Sequence, residues 1–104
     1  MAEFDWDQAN IQHIAKHGIT PEEVEQVVLN EPIDLTMQLR DGEERTPQVG
    51  ETDAGRILVV ITTWRDGLIR VVTAFPAKIA LRKLYVAQRG SANAGATEET
   101  ELRE

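Results

Sequence analysis

Apolar residues recur along this chain with two different periods, and the switch between them divides it into elements. Ile11, Ile14, Ala15 and Gly18 follow a helical spacing, and Asp7 stands where an N-cap belongs. The spacing predicts a first helix from Asp7 to Gly18, closed by the left-handed conformation open to glycine. Thr20-Pro21-Glu22-Glu23 marks a second start. Thr20 and Glu23 are spaced to satisfy each other's neighbouring N–H groups, and Pro21 suits the first turn. Val24, Val27 and Val28 form the expected buried face. Asn30-Glu31-Pro32 ends the helix, because proline disfavours helix in the residue before it.

The period then becomes two. Ile33, Leu35, Met37 and Leu39 alternate with polar residues and predict one strand with one wet face, closed by the Asp41-Gly42 turn. Residues 45–51 read as a weaker strand, which Pro47 assigns to a sheet edge. Ala54-Gly55 turns the chain again. Ile57 to Trp64 and Leu68 to Phe75 are the strongest strands, and the first is apolar on both faces, so it is central. A two-residue turn at Asp66-Gly67 pairs Arg65 with Leu68, Thr63 with Arg70, Val60 with Thr73 and Leu58 with Phe75.

Pro76 opens the last expected helix, with Ala77, Ala80, Leu81, Leu84 and Tyr85 as its apolar stripe. Lys78, Arg82, Lys83 and Arg89 point mostly away from that stripe. Ile79 and Val86 lie off both faces, and are expected to widen the core rather than to dock a partner. The predicted fold class is α+β: two N-terminal helices, a four-stranded antiparallel meander sheet and a C-terminal helix, with the helices on one side. Residues 1–89 form the single expected domain. Residues 90–104, ending in an acidic run, offer little to bury and are expected to be disordered.

Composition narrows the function classes. The chain has 104 residues and no cysteine, so it carries no disulfide and no cysteine-based metal site. That usage fits a reducing cytoplasm. Met1 to Asp7 lacks the basic and apolar regions of a secretory leader. The longest apolar run, Ile57 to Ile61, is far short of the roughly 20 residues of a membrane span. A cytoplasmic protein without a membrane segment is expected. The net charge of −7 is unevenly spread. Residues 1–66 hold five basic and fourteen acidic side chains, whereas residues 67–97 hold five basic and none acidic. The acidic whole argues against long-range capture of nucleic acid. The basic stretch still permits local phosphate contact, for which Lys78 and Arg82 are candidates.

Three kinds of chemistry are testable on residue types. His13 and His17 are four apart and share a helix face, but no third histidine exists and no Glu follows the first, so no metal site is expected. No G-x-S-x-G nucleophile motif and no phosphate loop is present, so neither a serine triad nor nucleotide binding is expected. The third possibility is metal-free RNA cleavage. It needs a base for a ribose 2′-hydroxyl, cations for the charged phosphorus centre and an acid for the leaving oxygen. His17, Lys16, Arg45, Arg70 and Tyr85 sit in separate elements that one sheet face can bring together.

The ordered set of local motifs resembles the BrnT family of ribonuclease toxins, which pair with BrnA antitoxins. Phe4-Asp5-Trp6-Asp7 looks like the family's opening segment. Lys16-His17-Gly18, followed by Pro21-Glu22-Glu23-Val24, looks like its Lys-His-Gly segment and the acidic helix start behind it. Glu44-Arg45 and Gly50, the Arg56-led strand, Ile69-Arg70-Val71-Val72-Thr73-Ala74 and Tyr85 follow in the family's order. Thr73 stands where the family usually has serine. Phe75-Pro76 stands where arginine usually follows, and Leu81 where glutamate is usual.

The resemblance implies a RelE-like fold, RNA cleavage that slows translation, no cofactor, and neutralisation by a BrnA-like antitoxin. It implies a dimer or a heterotetramer with that antitoxin, and DNA contact only through the complex. It also implies that His17, Arg45, Arg70, Thr73 and Tyr85 are catalytic and that Lys16 meets RNA. The alternative is a weak or inactive protein-binding module on the same fold, motivated by Phe75 and Leu81. A small regulatory domain unrelated to toxins is the third reading.

Overall fold

A computed structural model describes residues 3–90. The expected disordered tail therefore lies, but for Gly90, outside the described residues. The elements run α1 (Gln8–Ala15), α2 (Pro21–Leu29), β1 (Ile33–Asp34), β2 (Gln38–Arg40), β3 (Glu43–Glu51), β4 (Ile57–Arg65), β5 (Leu68–Pro76) and α3 (Ile79–Tyr85), with a π-helical turn at Val86–Gly90. Antiparallel pairing gives the sheet order β1-β3-β4-β5, with β2 also on β3. The class is α+β with three α-helices, as the periodicity predicts.

Local signals fix the helix starts. Asp7 caps α1 by accepting the Asn10 N–H at 2.8 Å. Thr20 and Glu23 complete the capping box of α2, at 3.2 and 3.0 Å. Asp66 and Gly67 both have positive φ, 55° and 79°, as a two-residue type I′ hairpin turn requires.

Several expectations are corrected. First, the alternating strand 33–39 breaks in two. Residues 35–37 lie opposite only Thr46 and Pro47, so the pairing slips by one residue. A slip of one reverses the side-chain facing. Ile33 and Leu35 pack into a core, while Met37 and Leu39 are 55% and 71% exposed. Second, Pro47 is not at an edge, because β3 lies between β1 and β4. Its carbonyl accepts the Leu35 N–H at 2.8 Å, so its polar edge faces the break in the first strand. The missing donor thus falls where the ladder is already interrupted.

Third, the helices cover both faces of the sheet. Ile14, Ile19, Val24 and Val27 pack with Leu58, Val60, Val71 and Ala74 on one face. Val49, Val59, Ala77 and Tyr85 form a second core on the other, flanked by Ile57, Ile61, Phe75 and Leu81. The two apolar faces of β4 demand this, since each must be hidden from water. The strand does not end at Phe75 but includes Pro76, and the helix starts three residues later, at Ile79. Ile79 consequently faces out at 62% exposure and does not widen the core.

Fourth, the β4–β5 register changes midway. Thr63 pairs with Arg70 as expected, but an extra residue, Val72, then enters β5. Beyond it Thr73 lies opposite Ile61 and Phe75 opposite Val59. The bulge sends Phe75 to the α3 face. The outer edge of β5 is covered by the N-terminal segment: Asp5 N–H donates to the Ile69 carbonyl at 2.8 Å, and Ile69 N–H to Glu3 at 2.9 Å. Such cover blocks pairing with another chain.

Candidate functional site

The first helix continues this cover, and its contacts with β5 form a seam of three rungs. At the first, Asp7 Oδ2 accepts from the Arg70 guanidinium at 3.0 Å, with Asp5 at 3.6 Å. At the second, His13 Nε2 lies 3.1 Å from the Thr73 hydroxyl. At the third, the His17 ring sits edge-on to Phe75, with centroids 6.3 Å apart. The rungs align because the two rails advance alike. Ten residues from Asp7 to His17 rise about 15 Å at helical pitch, and Arg70 to Phe75, shortened by the bulge, spans four residues of β4, about 13 Å. Between the first two rungs, the Asn10 amide donates to the Val71 carbonyl at 3.0 Å and ties the rails together.

Arg70 and Thr73 both belong to the α3 face, as their partners Thr63 and Ile61 on β4 show. Arg45 reaches the same face from β3. Side chains alternate along a strand, so Arg45 shares the face of Pro47 and Val49. Extending the Thr46–Thr62 pairing by one residue sets Arg45 beside Thr63. Thr63 is buried and donates to the Glu44 carbonyl at 2.8 Å. The row across the sheet is therefore Arg45, Thr63, Arg70, with the two arginine Cα atoms about 10 Å apart, two strand spacings.

Both arginines are held by acids. Glu43 accepts from Arg45 Nε at 3.0 Å and lies 3.7 Å from Arg65. The Asn10 backbone N–H and the Arg70 guanidinium hold the Asp7 carboxyl below its ordinary range. Beside this polar strip the same face opens into a groove of about 750 Å³. Pro47, Val59, Ile61 and Phe75 line its floor, and Leu81 of α3 one wall.

The other residues singled out by the sequence fall elsewhere. Tyr85 is buried in the second core, with its hydroxyl 3.5 Å from Glu51. Glu51 is six residues along β3 from Arg45, about 20 Å. Burial, and then the Glu51 charge, push the Tyr85 hydroxyl above its ordinary value, so it stays protonated at neutral pH. Lys16 is exposed at the C-cap of α1. Lys78 and Arg82 are exposed at the start of α3 and along it. Arg56 bridges the Gly18 carbonyl at 3.1 Å and Glu23 at 2.9 Å, a structural tie between loop, helix and sheet.

His13 and the carboxylates of Asp5 and Asp7 join the site without having been singled out for it. The available signal was the four-residue spacing of His13 and His17, whose rings lie 6.0 Å apart. Among the described residues, no three His, Cys, Asp or Glu side chains are grouped to hold a metal ion. Nor is any helix long and apolar enough to cross a membrane.

A family model described as "Ribonuclease toxin, BrnT, of type II toxin-antitoxin system" matches residues 6–79. The chain has no match among curated proteins. The matched segment stops at Ile79, so Arg82 and Tyr85 lie beyond it. It takes in more than half of the chain and, apart from Asp5, every residue of the three rungs, and on that ground the chain belongs to the BrnT family of type II toxin–antitoxin ribonuclease toxins, whose members have an antitoxin as partner.

Proposed function

We propose that this chain is a metal-independent endoribonuclease that cleaves RNA on the α3 face of its sheet and thereby slows translation. The observation that carries the reading is the row of Arg45 and Arg70 either side of Thr63, with Thr73, His13 of α1 and His17 of the following turn beside it. Two guanidiniums on one face suit a phosphodiester, which arginine binds through charge-assisted and often bidentate hydrogen bonds. A guanidinium has five N–H donors, and Arg70 uses Nη1 and Nη2 toward its two carboxylates with donors to spare. In the reaction the 2′-oxygen attacks phosphorus and the bond to the 5′-oxygen breaks, leaving a 2′,3′-cyclic phosphate and a 5′-hydroxyl. Arg45 and Arg70 stabilise the charge that builds on the phosphoryl oxygens. Lys16, Lys78 and Arg82 meet flanking phosphates.

A RelE-like arrangement, a cytoplasmic site of action and neutralisation by a BrnA-like antitoxin go with this reading. Contact with DNA then runs only through the antitoxin complex, as a heterotetramer or around a toxin dimer. The test is cleavage of single-stranded RNA by the purified chain in excess chelator. Arg70→Ala abolishes cleavage with the circular dichroism spectrum unchanged; an Arg70→Ala protein as active as the parent removes Arg70 from the site.

One observation favours a second reading. Arg70 is held by Asp5 and Asp7, and Arg45 by Glu43, so both proposed phosphate ligands are already partnered. A weak or inactive module that works by binding a partner fits that neutralised face. Expression in a bacterial host separates the two. Growth arrest relieved by Arg45→Ala belongs to the enzyme, and unimpaired growth at high expression to the module.

A further inference from the structure

We propose that His13 and His17 together are the acid–base pair of RNA cleavage, a proposal that rests on the ribonuclease reading above. Cleavage needs two proton transfers, one at the 2′-oxygen and one at the 5′-oxygen, on opposite sides of a single phosphorus. Each catalytic group must come within about 3 Å of its own oxygen. The two imidazoles lie 6.0 Å apart, close enough to serve both oxygens of one phosphate. Both are exposed and therefore open to substrate. They project from successive turns of the α1 segment toward the edge of β5, where Thr73 and Arg70 share one face.

The competing groups on the molecule are worse placed. Tyr85 is buried in the second core, with its hydroxyl directed to Glu51. Asp5 and Asp7 are occupied by Arg70, and Glu43 by Arg45 and Arg65. Imidazole is also the side chain suited both to taking and to giving a proton near neutral pH. Thr73 acts as a positioning residue: its hydroxyl, 3.1 Å from Nε2, fixes the orientation of the His13 ring. A third group that orients the base is the usual companion of such a pair.

The step balances. One imidazole takes the 2′-hydroxyl proton as the O2′–P bond forms. The other, starting as imidazolium, gives its proton to O5′ as the P–O5′ bond breaks. The enzyme is left with the two protonation states exchanged, and no further reactant is needed.

The experiment uses the full chain and a short RNA with one scissile linkage, alongside the same RNA with sulfur replacing the bridging 5′-oxygen. A thiolate leaves without a proton, so only the acid becomes dispensable. On ordinary RNA, His13→Ala and His17→Ala each lower kcat by about a hundredfold or more with KM near that of the parent. On the sulfur substrate one of the two variants recovers and the other does not. Thr73→Val lowers kcat, and Thr73→Ser keeps it. Parental kcat for either histidine variant overturns the pair, as does recovery of both variants or of neither. Parental kcat for Thr73→Val overturns the positioning role. A parent protein that cleaves neither substrate overturns the ribonuclease reading, and the pair with it.

Discussion

Asp7 holds Arg70 with one carboxylate oxygen, at 3.0 Å, while the other caps the first turn of α1 through the Asn10 N–H at 2.8 Å. A single side chain thus starts the helix and aims a guanidinium on the sheet. Asparagine caps a helix about as well as aspartate but carries no charge. Asp7→Asn is therefore expected to leave thermal unfolding close to that of the parent, and Asp7→Ala to lower it. RNA cleavage falls in both, by about tenfold to a hundredfold, because a misaimed ligand costs rate. Melting curves and kcat/KM on one RNA measure the two effects separately.

Tyr85 gives the opposite expectation. Its hydroxyl lies 3.5 Å from Glu51, at the end of β3 remote from Arg45, with Arg89 also beside it. Tyr85→Phe is expected to leave kcat unchanged and to shift stability by less than about 1 kcal/mol. A large loss of kcat would return the residue to the active site.

Gly50 marks where α2 comes down on the sheet. A Cβ there would lie 2.9 Å from Pro32 Cβ and 2.9 Å from Val27 Cγ1, closer than packed carbons tolerate. Gly50→Ala should destabilise by about 1–3 kcal/mol, the usual range for overpacking. The urea midpoint measures it, with the denaturant slope unchanged.

Acid should weaken the fold through Glu23. Burial alone pushes its carboxyl up, but the Thr20 backbone N–H and the Arg56 guanidinium outweigh burial and hold it below the ordinary 4.5. A carboxylate with a depressed folded-state pKa adds stability above its unfolded value, and that stability is lost as pH falls through the folded value. The melting temperature is expected to fall below about pH 4.5, and less steeply in Glu23→Gln. Thr20→Ala, which removes the other half of the box, should cost about 1 kcal/mol at neutral pH. Thermal melts across pH 3–7, a range of about four units around the carboxylate values, check both.

Part of the candidate site was legible in the chain. Arg70 and Thr73 read as strand residues, and Arg45 as part of the strand before the central hairpin. Their common face was not legible, because Val72 enters as an extra residue that no local signal announces. His13 was visible only as half of an unconvincing metal pair; its hydroxyl partner lies sixty residues away. The place of Tyr85 beside Glu51 was hidden for a related reason. A helical stripe says which side of a helix is buried, not which end of the sheet it covers.

The sequence by itself determined where the first two helices begin, where the tight hairpin turns and which strand lies at the centre. Caps, turn residues and a run apolar on both faces act within a few neighbours, so each is complete in a short stretch of chain. The tertiary structure alone decided the slip opposite Pro47, the cover of both sheet faces, and the docking of α1 along β5. Those follow from how side chains far apart in sequence fill a common space, and bringing them together is what sets the arginines, the threonine and the histidines against one another.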